Sequence, residues 1–170
     1  EIAIPDYDSV NEKVSLGLAQ KARNLTVSQL GLEDRMLVLD AGIGPGTMSE
    51  TILRKNTDVA VVGFDASSVL LHAARDRLRA NYDSHVHLVR GAFEALPFRN
   101  GSFPRIVSAF AFRDARDRSV AIDEFHRVVA DGGMVGIVDL GKPENRFKRA
   151  LISIYVRFLV PLISRLFMSG

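Results

Sequence analysis

Asp40 ends an apolar run, Met36-Leu37-Val38-Leu39, and glycines follow at positions 42, 44 and 46. A carboxylate there can balance a cation at short range, and closely spaced glycines let a backbone turn sharply against a ligand. Asp65 likewise ends a second apolar run, Val59 to Phe64, where nucleotide-binding α/β folds grip ribose hydroxyls. Asp65, Ser67 or Ser68 also suits the start of the helix that follows. The third group is Arg113-Asp114, just after the run Arg105 to Phe110. A guanidinium can stabilise a developing anion, and a carboxylate can accept or relay a proton. By residue type alone the pair also suits an ion pair capping the next helix, with Arg116 and Asp117.

Regular elements must hold these groups. The run before Asp40 is apolar on both faces and is stopped at once by turn residues, so it reads as a buried parallel strand. Thr47 to Lys55 reads as a helix whose first amides face the glycine crevice. Dinucleotide sites favour Gly-x-Gly-x-x-Gly; here the third glycine comes one residue early and Thr47 stands in its place. Before this unit, Tyr7 to Leu32 predicts a helix with Val10, Val14, Leu18 and Leu25 on its apolar face, capped by Asp6 or Asp8 and ended by Gly31. After it come strands at Val59–Phe64, His85–Arg90, Arg105–Phe110 and Met134–Leu140. Helices are expected to about Asn81 and from about Arg116 to Ala130, the latter turning Val120, Ile122, Phe125, Val128 and Val129 to the sheet. This alternation predicts an α/β fold, a Rossmann-like open and mainly parallel sheet with right-handed crossovers.

A chain of 170 residues that is 47% hydrophobic and 25% charged suits one domain, residues 1–170, with a real core. A net charge of +2 gives no argument for nucleic acid. Without cysteine there is neither a disulfide framework nor a thiolate metal site, and the four histidines form no metal-ligand pattern. No metal is expected. No secretory signal opens the sequence, so a cytoplasmic location is expected.

Several stretches resemble the ubiquinone/menaquinone biosynthesis C-methyltransferases, a family of class I S-adenosylmethionine (SAM)-dependent enzymes. Tyr7-Asp8-Ser9-Val10-Asn11 with Ser15 is similar to the family's opening signature, although Ala19 and Ala22 replace its later histidine and tryptophan. Glu94-Ala95-Leu96-Pro97-Phe98 matches its loop after the third strand. Phe110-Ala111-Phe112-Arg113-Asp114 resembles its Phe-Gly-Leu-Arg-Asn stretch, and Arg127 to Gly133 its Arg-Val-Leu-Lys-Pro-Gly-Gly turn. The resemblance implies SAM as cofactor, held by Asp40, Ala41, Gly42, Gly44, Gly46, Asp65, Ala66, Ala92, Phe93 and Ser108. Asp40 would face its cationic methionine end and Asp65 its ribose. Ala92 stands where the family has an aspartate or asparagine against adenine, leaving backbone amides near Phe93, or the Phe93 ring, to meet the base. Arg113 and Asp114 become the catalytic candidates for C-methylation of a prenylated quinol or similar hydrophobic acceptor. Asp114 replaces the family's asparagine and Pro104 its aspartate. The family's last two strands, an antiparallel pair, have no counterpart in this sequence.

Glu144 to Val160 places Arg146, Arg149, Ser153 and Arg157 on one helical stripe, beside an apolar arc of Phe147, Leu151, Ile154 and Phe158. Charges and Pro161 exclude a membrane span. The segment 144–168 reads either as a core helix over the cleft or as a lid for a prenyl tail, resting on an anionic membrane surface. Oligomeric state is left open. Two other functions compete: a non-catalytic SAM-fold subunit of a biosynthetic complex, and a NAD-dependent oxidoreductase. The early third glycine and the lack of a Tyr-x-x-x-Lys pair count against the second.

Overall fold

Leu37–Ala41 forms the central strand, β1, and the other elements are layered around it. The computed structural model describes residues 15, 17–55, 58–139 and 141. The chain divides into two compact units, Ala22–Asp139 and a second made of Glu1–Lys21 with Leu140–Gly170. The opening signature at 7–11 and the apolar, basic stretch at 144–168 lie outside the described residues. In chain order the elements are α1 (Leu18–Gln29), β1, α2 (Thr47–Lys55), β2 (Ala60–Asp65), α3 (Ser68–Tyr82), β3 (Val86–Arg90), β4 (Phe103–Ala109), α4 (Arg118–Val128) and β5 (Val129–Val138). A 3-10 turn, Phe112–Asp114, follows β4.

The described strands form one sheet in the order β3-β2-β1-β4-β5, and every pairing is parallel. The order of connection reverses between β1 and β4, so the crevice outside the carboxyl ends of the strands opens there. In register, Asp40 lies between Gly63 of β2 and Val107 of β4. Alternate residues of β1 serve different layers. Val38 joins Val61 and Val107 beneath Val27, Leu30, Ile52, Leu53, Ala74 and Leu78. Leu39 and Ala41 join Phe64 and Ile106 beneath Phe125 and Val128. Full burial of one such aliphatic side chain contributes about 1.5–3 kcal/mol.

Three expectations change at the level of faces and ends. Leu18 and Leu25 are mostly exposed, and α1 is anchored instead by Val27 and, just past its end, Leu30. Val120 and Ile122 of α4 face outward; Ala121, Phe125 and Val128, spaced by four and three, face the sheet. Asp117 caps α4, its carboxylate accepting from the amides of Ser119 and Val120. The turn Asp131-Gly132-Gly133 does not precede β5 but interrupts it. Val129 pairs with Phe103, and the continuous ladder resumes only at Met134 opposite Arg105.

Candidate active site

The glycine loop is tied down on its β2 side. The amides of Gly42 and Ile43 both donate to the Phe64 carbonyl, at 2.7 and 3.0 Å. Ile43 then drops into the core over Gly63, where an added Cβ would lie 2.3 Å from Ile43 Cδ1. The three loop glycines all have positive φ, but for different reasons of space. A Cβ on Gly42 would lie 2.3 Å from Ala111 Cβ, and one on Gly46 would press on Leu78 and Ala74 of α3. A Cβ on Gly44, at φ +55°, would meet no atom of the described residues within 4 Å. Packing within the protein accounts for the first and third glycines. The second faces open space.

Asp40 is fully buried. Its Oδ2 accepts from Ser49 Oγ at 2.6 Å, which fastens α2 to β1. Its Oδ1 has no hydrogen-bond partner among the described residues. Burial pushes its pKa up to about 6 from 3.8; Ser49 opposes that rise, the nearby Asp65 charge adds to it, and Arg23 of α1 opposes it weakly. Arg23 also lies over the Phe110 ring, 5.1 Å from its centre. Phe110 itself has φ +60°, a conformation that costs roughly 1–2 kcal/mol outside glycine. It sits where β4 gives way to the crevice, a place where strained residues are common.

Asp65 is half-buried and doubly anchored. Its Oδ2 accepts from the Gly44 amide and its Oδ1 from the Ser67 amide, each at 2.9 Å. Ser67 supplies the N-cap of α3 by accepting from the Leu70 amide. Asp65 therefore orients the cap without being it, and each of its oxygens keeps a second lone pair for a hydroxyl. Ala66 follows at the surface, its carbonyl taken by Arg90 at 3.0 Å.

The loops after β3 and β4 are held by rings. Phe93 packs against Phe64, Phe112 and Phe125, with ring centres 6.4, 6.5 and 5.9 Å away. Its ring is thus committed to the core, and contact with a base falls to its backbone and to the exposed Ala92. Glu94 accepts from the amides of Arg116 and Asp117, at 2.6 and 3.1 Å, and these bonds hold its carboxyl below the usual range. Arg127 donates to the carbonyls of Leu96 and Phe98 and pairs with Glu124, stapling the same loop to α4.

Asp40, Gly42, Gly44 and Asp65 come together at the carboxyl ends of β1 and β2. Arg113 and Asp114 stand beyond β4. Ser108 and Ala41 are buried on the sheet face opposite Asp40, and Ser108 Oγ has no partner among the described residues. The Arg113–Asp114 contact is loose: Nε lies 3.9 Å from Oδ1, and the Asp114 side chain is 75% exposed. Arg113 instead meets Asp139, just past β5, through Nη1 at 3.2 Å and its own amide at 3.1 Å. Ser49, Arg23 and Asp139 carry no role in the sequence reading. Asp139 follows the rule that singled out Asp40 and Asp65, an acidic residue at the end of an apolar run. Extending the fifth strand to Leu140 hid it.

Two features test whether a cofactor with a cationic end fits: an orphaned buried carboxylate oxygen on Asp40 and the open space at Gly44. Both fit. Among the described residues no cluster of three or more His, Asp or Glu could hold a metal. A shallow cavity of about 560 Å³ near Asn100, His126 and Asp131 lies at the other end of the strands.

The model of the ubiE/COQ5 methyltransferase family matches residues 2–170. The chain belongs to that family. As a ubiE/COQ5-family protein it is a methyltransferase. It is 32% identical over 162 residues to the demethylmenaquinone methyltransferase of Thermotoga maritima, covering 95% of this chain and 69% of that one. It is 27% identical over 165 residues to the ubiquinone/menaquinone biosynthesis C-methyltransferase of Geotalea uraniireducens, covering 96% of this chain and 70% of that enzyme. Solved structures share the class I methyltransferase fold. One is a Methanococcus maripaludis protein described as an S-adenosyl-L-methionine-dependent methyltransferase (TM-score 0.71, 21% identity, 95% of this chain and 74% of that one). Another is the YcgJ protein of Bacillus subtilis (TM-score 0.69, 23% identity), of which this chain spans 56% while 78% of its own length is covered.

Proposed function

We propose that this ubiE/COQ5-family methyltransferase uses SAM to methylate a ring carbon of a prenylated quinol. The observation that carries the reading is the pairing of a cation-ready carboxylate, Asp40, with open space at Gly44, across the crevice from Arg113. The names of its relatives supply the acceptor class. When bound, SAM supplies an electrophilic methyl group on a sulfonium.

Asp40 balances the cationic methionine end and gains a partner for its orphaned oxygen. Asp65, already oriented by Gly44 and Ser67, accepts from the ribose hydroxyls. The backbone at Ala92 and Phe93 meets the adenine. On the acceptor side, Arg113 stabilises the phenolate that makes the neighbouring ring carbon nucleophilic, and Asp114 accepts or relays the hydroxyl proton. The ring proton at the methylated carbon is then released to solvent, which restores aromaticity. The enzyme's contribution is largely positioning and exclusion of water.

The sequence of 144–168, apolar with Arg146, Arg149 and Arg157 interspersed, supports one further part of this reading, contact with a prenylated acceptor and an anionic membrane surface. No helix among the described residues is long and apolar enough to cross a membrane. Residues 1–170 then act as one catalytic domain. The test is transfer of labelled methyl from SAM to a demethylmenaquinol-like acceptor, with mass analysis of the product. A ring-methylated quinol is expected; SAM binding without transfer to any quinol would overturn the acceptor assignment.

A further inference from the structure

We propose that Asp139 is the positioning residue of the acceptor site, holding Arg113 at the oxygen of the acceptor. The inference rests on the function proposed above and names what fixes its anion-stabilising group. One carboxylate grips Arg113 at both ends: Oδ2 accepts from the backbone amide at 3.1 Å and Oδ1 from Nη1 at 3.2 Å. A two-point hold fixes the direction of a long side chain that is otherwise 42% exposed. The Asp139 side chain is only 21% exposed, so its charge is screened less than that of Asp114, at 75%. The turn carrying Arg113 is tied once more, because Arg118 Nη2 donates to the Arg113 carbonyl at 3.2 Å.

The guanidinium has five donors. Asp139 occupies Nη1 and the Nε edge faces Asp114, which leaves Nη2 for an oxyanion. Asp139 is placed by the end of β5 and Arg113 by the loop after β4, so the pair joins the two strands on the acceptor side of the crevice. Small errors in placing such a group are costly in rate, which gives a positioning carboxylate its value.

The full chain is used with Asp139→Asn, Asp139→Ala, Arg113→Ala and the double Arg113→Ala/Asp139→Asn. Asparagine keeps an oxygen for the Arg113 amide, so Asp139→Asn should unfold at nearly the parent temperature even if Asp139→Ala does not. Single-turnover methyl transfer should fall roughly tenfold or more in Asp139→Asn, with SAM affinity by calorimetry little changed. The Asp139→Asn change should have no further effect on rate once Arg113 is alanine. A nitrophenol acceptor analogue gives an independent readout, because its absorption reports the pKa of the bound phenol. That pKa should be lower on the parent protein than on Asp139→Asn. Native rate and native spectrum in Asp139→Asn would overturn the proposal, as would losses that multiply in the double variant. If the parent methylates no quinol but the nitrophenol pKa still depends on Asp139, the proposed reaction fails and the positioning role stands. If neither is seen, both fail.

Discussion

The loop after β1 and the loop after β4 face each other across the crevice, and they are built by opposite means. The first is fixed by backbone hydrogen bonds to Phe64 and by two aspartates whose oxygens meet amides or a buried hydroxyl. The second is fixed by ring packing of Phe112 on Phe93 and Phe125 and by an ion pair with Asp139, 26 residues from Arg113. Amide-held loops tolerate few changes of residue but keep their shape without a ligand. Loops held by rings and long side chains can be retuned residue by residue. On the function proposed above, the rigid loop meets the cofactor and the tunable loop meets the acceptor.

The largest expected effect comes from joining the two loops by force. Gly42→Ala puts a methyl group 2.3 Å from Ala111 Cβ at φ +79°, and should cost roughly 2–5 kcal/mol of stability together with SAM binding. Thermal unfolding reads the first and calorimetry the second. Adding Ala111→Gly should recover much of the stability, and failure to do so would deny the contact its weight. Gly44→Val, whose Cβ would meet no atom of the described residues within 4 Å, should cost little beyond the roughly 1–2 kcal/mol of its backbone conformation and still abolish SAM binding. Normal binding there would make the loop a mere turn.

Asp40 comes next, through pH. Its carboxyl titrates near 6 in the fold against 3.8 when free, so between those values the folded chain keeps a proton that the unfolded chain has lost. The contribution of this group to stability therefore falls as pH rises through that window, by about 3 kcal/mol in all. Asp40→Asn should unfold at a higher temperature than the parent at about pH 8, with the gap closing toward pH 4, while binding SAM more weakly. An equal gap at both pH values would mean that Asp40 is charged throughout. Asp65→Ala loses its charge-assisted contacts, worth ~1.5–3 kcal/mol, and should weaken SAM binding roughly ten- to a hundredfold. Unchanged affinity in a folded variant removes the ribose role. Arg113→Ala should lower turnover roughly tenfold with SAM affinity nearly intact, the pattern of a contact made mainly in the transition state. Parallel losses of turnover and SAM affinity would instead tie the two loops into a single site.

The same contrast explains what could be read from the residues alone. Runs such as Met36–Leu39 and Val59–Phe64 announce buried strands because both faces are apolar, and the aspartates that end them are adjacent in sequence to the turns they serve. The parallel sheet, and the meeting of Asp40 and Asp65 at its carboxyl edge, followed from that local information. The partner of Arg113 did not, because ion pairing depends on which strand ends lie side by side. Nor did the face of α4: Val120 and Ile122 are more hydrophobic than Ala121, but Ala121 is the residue that shares a helical face with the buried Phe125 and Val128. The ring of Phe93 was open to either side until Phe64, Phe112 and Phe125 closed around it.

The contact between Gly42 and Ala111 has one further consequence. The two residues belong to the loops that follow β1 and β4, and they mesh with no space for a single carbon atom between them. Neither loop can widen without pushing the other, so the two halves of the crevice behave like the jaws of one vice. The first jaw is held by backbone amides, so it fixes where the second one stops, and bulk added at either residue is felt on both sides of the crevice.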